Sequence, residues 1–208
     1  MDELYSVSDP KAKNVNYINT KENSEDDPYK QYFREFDYGI DISDNIIVIN
    51  DEIQIGLLAE FIAKTRLLKK INPNTDVITI LLNSGGGDVM ECLGIIDYIR
   101  THTEIKFNIV CRGIAMSAAA LLLASGTGVR AASKHSKIMV HQLSTFAAGK
   151  LSDVKSNAKF ADQLEDECNS LMAEFTKKPK EWWASNQQSD LFLSSKEALE
   201  LGIIDKII

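Results

Sequence analysis

The most constraining feature of the chain is an alternation of two hydrophobic periods. Short β-branched or wholly apolar runs of strand length are each followed by a turn signal and then by a stretch whose apolar residues recur at helical spacing. Residues 45–50 (NIIVIN) are the first such run, and 53–71 follow with Leu57, Leu58, Phe61, Ile62, Thr65 and Leu68 on one helical face. An Asn-Pro-Asn signal at 72–74 stops that helix. Residues 76–82 (DVITILL) then form a second strand, apolar enough to be covered on both faces. A glycine-rich turn at 83–88 leads into a helix carrying Val89, Leu93, Ile96 and Ile99. A further strand is expected at 106–111, a buried helix at 116–124, and two short strands at 129–132 and 137–140. Repeated strand and helix point to an α/β fold with a largely parallel sheet.

Beyond residue 150 the pattern changes. Residues 151–177 read as one long helix, with Val154, Ala158, Ala161, Leu164, Cys168, Leu171 and Phe175 on one face and Asp162, Glu165, Asp166 and Glu167 between them. At 1.5 Å per residue it extends roughly 40 Å, so it is expected to outrun its own domain and pack on another subunit. A short helix at 178–186 holds Trp182 and Trp183. Another runs over 194–201 with Ser194 or Ser195 as N-cap, and a strand closes at 203–208. Residues 1–33 are polar, acidic and without hydrophobic period, and are expected to be a flexible arm; 34–208 form the domain.

Composition narrows the function classes. Thirty acidic against 23 basic residues give a net charge of −7, a field that does not gather phosphates, so nucleic acid is not an expected partner. The longest apolar stretch, 115–124, is about half of the roughly twenty residues a membrane span needs, and the first residues are acidic where a secretory signal is basic and then apolar. Cys92, Cys111 and Cys168 lie in apolar patterns without CxxC spacing, as reduced buried thiols do. A cytoplasmic location is therefore expected, with no membrane partner and no metal.

The chemistry-bearing residues are few. The glycines at 85–87 follow a strand and precede a helix, where outward-pointing amides can hold an anion; neither GxGxxG nor the P-loop lysine is present, so a nucleotide is not expected. Such amides can instead hold an oxyanion, or simply make a tight turn. Ser117, in GIAMSAAA, opens a buried helix after a strand, though without the GxSxG elbow; its hydroxyl suits a nucleophile or an N-cap. His102 and His135 lie in polar segments. His141 ends an apolar strand, where function concentrates in α/β sheets, and Asp190 leads into the apolar 191–193.

Taken in order, the Asn-Ser-Gly-Gly-Gly at 83–87, Gly-Ile-Ala-Met-Ser-Ala at 113–118, Ile-Met-Val-His-Gln at 138–142, Asp-Leu-Phe-Leu-Ser at 190–194 and Glu-Ala-Leu-Glu-Leu-Gly-Ile-Ile-Asp at 197–205 resemble the proteolytic subunit of the Clp protease, ClpP. The resemblance covers about 36–208. It implies the spiral of ββα units shared with crotonases, a protruding handle helix over about 142–177, and a serine endopeptidase acting on unfolded polypeptide inside a homo-oligomeric chamber, heptameric or tetradecameric. By position it implies Ser117 as nucleophile, His141 as general base and Asp190 as the orienting acid, with the amides of Gly86 and Ala118 as oxyanion hole. It also implies that ATP serves only a partner, a hexameric AAA+ unfoldase, and that the chain itself carries no cofactor.

Besides the amino-terminal arm and the segment 144–149 (STFAAG), which stands where the family has a glycine-rich strand, three single positions depart from the family pattern. Gly85 stands where a proline is usual, Leu143 replaces the proline after His-Gln, and Ser189 replaces an arginine that pairs across rings. The chain thus reads as a divergent member. Competing readings are a non-catalytic or accessory ring subunit, a crotonase-fold acyl-CoA enzyme using other acid and base residues, and a serine–lysine peptidase based on Lys134 or Lys137.

Overall fold

The computed structural model describes residues 38–208; the expected arm at 1–33 lies outside the described residues. The strands are β1 (Ile40–Asp41), β2 (Ile46–Ile49), β3 (Val77–Ser84), β4 (Lys106–Met116), β5 (Arg130–Ala132), β6 (Lys137–Val140), β7 (Leu191–Ser194) and β8 (Lys206–Ile207). The helices are α1 (Leu57–Ile71), α2 (Val89–Thr101), α3 (Ala118–Ala124), α4 (Leu151–Phe175), α5 (Lys180–Asn186) and α6 (Ser195–Leu201). All eight strands join one sheet, ordered β1-β2-β3-β4-β5-β8, with β6 attached to β4 and β7 to β6. The β2–β3, β3–β4, β4–β5, β4–β6 and β5–β8 pairs are parallel, whereas β1–β2 and β6–β7 are antiparallel. This is the expected α/β architecture.

The core follows from the sequence pattern. Alternate residues of β3 (Ile78, Ile80, Leu82) and β4 (Phe107, Ile109, Cys111) are fully buried, and they pack with Ile95, Ile96 and Ile99 of α2 and with the whole of α3. At roughly 1.5–3 kcal/mol per fully buried large apolar side chain, this layer dominates the driving force for folding.

One strand does the positioning. β4 is longer than the expected 106–111 because it changes partner midway: Ile109–Cys111 pair with β5 and Ile114–Met116 with β6. The fork lies at Gly113, whose φ is +121°, and a Cβ there would fall 2.3 Å from Asn83 Oδ1. That oxygen instead accepts from the Ile114 amide at 3.0 Å, holding the strand together through the bend. Glycine is required here by both conformation and space.

Other boundaries shift for equally local reasons. The helix expected from 53 begins at Leu57, after Gly56 at φ +103°, because Ile53 is taken into a parallel bridge with Gly87. The helix expected from 116 begins at Ala118, and the closing strand is confined to Lys206–Ile207. Helix α4 spans 25 residues and has no buried residue before Leu164; Leu151 and Phe160 stand exposed on it. Among the described residues, no helix is long and apolar enough to cross a membrane. Cys92 and Cys111 are buried, Cys168 is half-buried, and all three are free thiols.

Candidate active site

The parallel β4–β6 pairing ends with Met116 opposite Met139, and the Ser117 amide donates to the Met139 carbonyl at 2.8 Å. Ser117 is therefore held one step beyond a strand end, beside the last turn of chain before His141. It is also the N-cap of α3, with φ +55° and ψ −129°. A serine rarely adopts that conformation, which costs on the order of 1–3 kcal/mol and persists only where surroundings enforce it. Here the enforcement comes from β4 on one side and the immediate start of α3 on the other. The result is a sharp strand-to-helix elbow without the GxSxG sequence.

The hydroxyl does not do the usual work of a cap. Its oxygen makes no bond to the amides of α3, and instead lies 2.8 Å from His141 Nε2. The hydroxyl is thus not spent on capping and faces the imidazole. It is within hydrogen-bonding reach for proton transfer to a neutral imidazole.

Asp190 arrives by a second pairing. β7 runs antiparallel to β6 with Val140 opposite Leu191, so the next step along both strands sets His141 beside Asp190. The Asp190 Oδ1 to His141 Nδ1 distance is 3.7 Å, an ion-pair separation longer than a hydrogen bond. The imidazole is 23% exposed and the carboxylate 56%. The structure thus brings all three side chains together, the serine–histidine contact being tight and the histidine–aspartate contact loose.

The glycine turn completes the site from β3. Gly86 is buried, with φ +98°, and a Cβ on it would lie 2.6 Å from the Met116 carbonyl oxygen and 2.7 Å from Ser117 Cβ. Its bare backbone is what lets the turn lie against the elbow. The Gly86 amide, however, donates to Ser84 Oγ at 3.1 Å. Gly87 is exposed and lines the groove that contains Ser117 and His141. The bridge to Ile53 uses the Gly86 carbonyl and the Asp88 amide, and the Gly87 amide has no partner among the described residues. Among the described residues, the Ala118 amide, at the first position of α3, is also without a partner. Of the two amides expected to face an oxyanion, Ala118 stands free and Gly86 is engaged. Three consecutive glycines give no sign in the sequence of which amide the local bonding will consume.

Asp88 fixes the other end of the turn, its carboxylate capping α2 through the amides of Met90 and Glu91 at 2.8 and 3.0 Å. Below the elbow, the Cys92 thiol donates to the Ala118 carbonyl at 3.1 Å. Full burial pushes that thiol well above the usual range, so it stays protonated and donating. Of the remaining histidines, His102 stacks on Tyr98 and bonds its carbonyl, and His135 is exposed. Among the described residues, no group of three or more His, Cys, Asp or Glu could hold a metal ion.

A family model described as Clp protease matches residues 34–208. The chain belongs to the Clp protease family. Similar curated Clp proteins include the ATP-dependent Clp protease proteolytic subunit 1 of Prochlorococcus marinus subsp. pastoris, 33% identical over 80% of this chain and 85% of that protein. The ATP-dependent Clp protease proteolytic subunit 2 of Chlamydia muridarum is 35% identical over 80% of this chain and 82% of its own length. A Synechococcus sp. proteolytic subunit 1 is 32% identical over 84% and 89%. The Clp family match spans every element that carries the site.

Proposed function

We propose that this chain is a serine endopeptidase in which Ser117 is the nucleophile, His141 the general base and Asp190 the orienting acid. The observation that carries the reading is the 2.8 Å contact between Ser117 Oγ and His141 Nε2, made by a serine in a strained elbow. Ser117 Oγ attacks the carbonyl carbon of the peptide as its proton passes to His141 Nε2. The charge that develops on the carbonyl oxygen accepts hydrogen bonds from the amide of Ala118 and from the glycine turn, where we place the donor at Gly87 rather than at Gly86. His141 then gives the proton to the leaving amine as the C–N bond breaks. A water molecule, deprotonated by the same nitrogen, hydrolyses the acyl-serine and restores the hydroxyl. Asp190 holds the imidazole with its proton on Nδ1 and supports the positive charge that forms, provided its exposed carboxylate closes the 3.7 Å gap.

The same reading extends to assembly. The similar proteins are named ATP-dependent proteolytic subunits. We place this chain in a homo-oligomeric ring that encloses the site, with α4 packed on a neighbouring subunit and ATP spent by a separate hexameric unfoldase that delivers unfolded polypeptide. The exposed Leu151 and Phe160 on the unburied half of α4 support a subunit contact there. The family match and the serine–histidine contact favour this reading over a non-catalytic subunit or an acyl-CoA enzyme.

A serine-directed fluorophosphonate is expected to label Ser117. Ser117→Ala is expected to abolish labelling and to lower peptide turnover by on the order of 10⁶-fold, leaving the ring seen by mass photometry unchanged. Labelling elsewhere, or hydrolysis retained in the variant, would falsify the nucleophile assignment; a stable monomer at micromolar concentration would remove the chamber.

A further inference from the structure

The pocket that opens beside Ser117 and Ala118 is walled by hydrocarbon: Val89 of α2, Leu121 of α3, Val140 and Leu143 around the end of β6, and Met172 of α4. Besides Ser117 and His141, two polar side chains break that pattern, the neutral Gln187 and the charged Glu165. Glu165, half-buried on α4, lines the same pocket and is its one carboxylate. Its Oε1 accepts from the neutral Gln142 Nε2 at 3.1 Å, and no lysine or arginine among the described residues forms an ion pair with it. Cys168, also in the lining, adds no second charge at neutral pH, since burial, helped by Glu167 and Glu165, pushes its thiol up to about 11. The pocket is thus an apolar sleeve with a single anchored negative charge on its wall.

We infer that Glu165 makes this pocket the seat of a lysine or arginine side chain, carried by the residue whose carbonyl Ser117 attacks. The inference rests on the reading of Ser117 as nucleophile. The side chain in question is attached one bond from the attacked carbon, so it enters the pocket touching Ser117 and Ala118, while the leaving amine lies toward His141. A basic residue fits in two parts. Its methylene stem covers the apolar walls, and its cationic end meets Glu165 in a charge-assisted hydrogen bond. An uncharged side chain of equal length fills the walls but takes water from the carboxylate and adds no donor beyond Gln142, which is costly in a partly desolvated site. An acidic side chain is repelled. Discrimination therefore comes from both sides, the basic residue gaining a contact and the others leaving a charge stranded.

The test uses the full-length protein and three peptidyl diphenyl phosphonates that differ only in the terminal side chain: lysine, norleucine with the same stem and no charge, and glutamate. Ser117 displaces phenol from each, and intact-mass spectrometry reads the rate. In the wild type the lysine probe is expected to react about tenfold or more faster than norleucine, the effect of one charge-assisted contact. In Glu165→Gln that ratio is expected to fall to about one or below, and in Glu165→Lys the glutamate probe is expected to overtake lysine. Norleucine matching or exceeding lysine in the wild type overturns the inference, as does a ratio unchanged in Glu165→Gln; both leave the peptidase reading standing and point to an apolar subsite. If none of the three probes modifies Ser117, the nucleophile assignment falls and the subsite with it.

Discussion

Gly85 and Gly86 are chain neighbours with opposite requirements. A Cβ at Gly85 meets nothing within 4 Å, whereas one at Gly86 collides with the Met116 carbonyl and Ser117 Cβ in a backbone already at φ +98°. Gly86→Ala is expected to destabilise the fold by about 3 kcal/mol, combining left-handed strain with overpacking, and to slow fluorophosphonate labelling by displacing the elbow. Gly85→Ala is expected to be neutral or to stabilise by about 0.5 kcal/mol, since it only restricts the unfolded chain. Urea unfolding of the two variants checks the contrast; equal costs would mean that the turn does not press on the elbow as described. At this scale the sequence pointed to side chains by type, but to the amides only as a glycine turn and by family resemblance. Ser117, His141 and Asp190 stand out by residue type and by the strand ends they occupy. The bond from the Gly86 amide to Ser84 Oγ depends on how one hydroxyl turns, and no pattern of residue types encodes that.

Between elements, the pairing of β7 with β6 matters most for the site, and it was the least legible. Residues 191–194 make a strand of four residues that flows directly into α6, too short for alternation to declare itself. The long apolar runs of β3 and the helical face of α2 were readable because many residues repeat the same preference. β4 was read too short for a different reason: Arg112 and Gly113 look like a break, and only the side chains of Asn83 and Ser136, from either side, carry the ladder across it. The cap of α6 was legible as Ser194 or Ser195, and it is Ser194. It forms a full capping box with Glu197, whose carboxyl is held below the usual carboxylate range by bonds from the Ser194 hydroxyl and amide. Ser194→Ala is expected to cost about 1 kcal/mol of stability. Because β7 ends where that helix begins, hydrogen exchange at the β6–β7 amides should quicken together with that of α6; faster exchange in α6 alone would show the two elements to be uncoupled.

Across the molecule, Arg130 gathers the ends of several elements. Its Nη1 donates to the final carbonyls of α3 at Ala124 and of α4 at Phe175, at 3.1 and 2.7 Å, while Nε and Nη2 grip the Asp205 carboxylate at 3.1 and 2.5 Å. Partial burial pushes the Asp205 carboxyl up, but the hydrogen bonds and charge of Arg130 outweigh it and hold the group below its ordinary value. A carboxyl depressed in the folded state takes up its proton first in the unfolded chain. Its contribution is therefore complete above about pH 4, the unfolded value, and is lost as pH falls through the folded one. Asp205→Asn is expected to unfold at lower urea than the wild type at pH 7, with the difference narrowing steadily below about pH 4. A difference independent of pH would mean that shape rather than charge makes the contact. The α/β class and the order of the main elements were legible at this scale, because burial on two faces is written into whole segments. The Arg130 clamp was not, since it joins residues from four places in the chain that share no local signal.

The loose third contact has a consequence for how the molecule is made. A ribosome releases Ser117 and His141 within 24 residues of each other, across α3, β5 and β6, but Asp190, at the entry to β7, follows only after α4 and α5 have been synthesised. A nascent or truncated polypeptide ending within α4 therefore holds the serine and the imidazole without the carboxylate. On the proposed reading such a fragment has its nucleophile and base but not the group that orients them, so the order of translation would itself delay cleavage until β7 is in place.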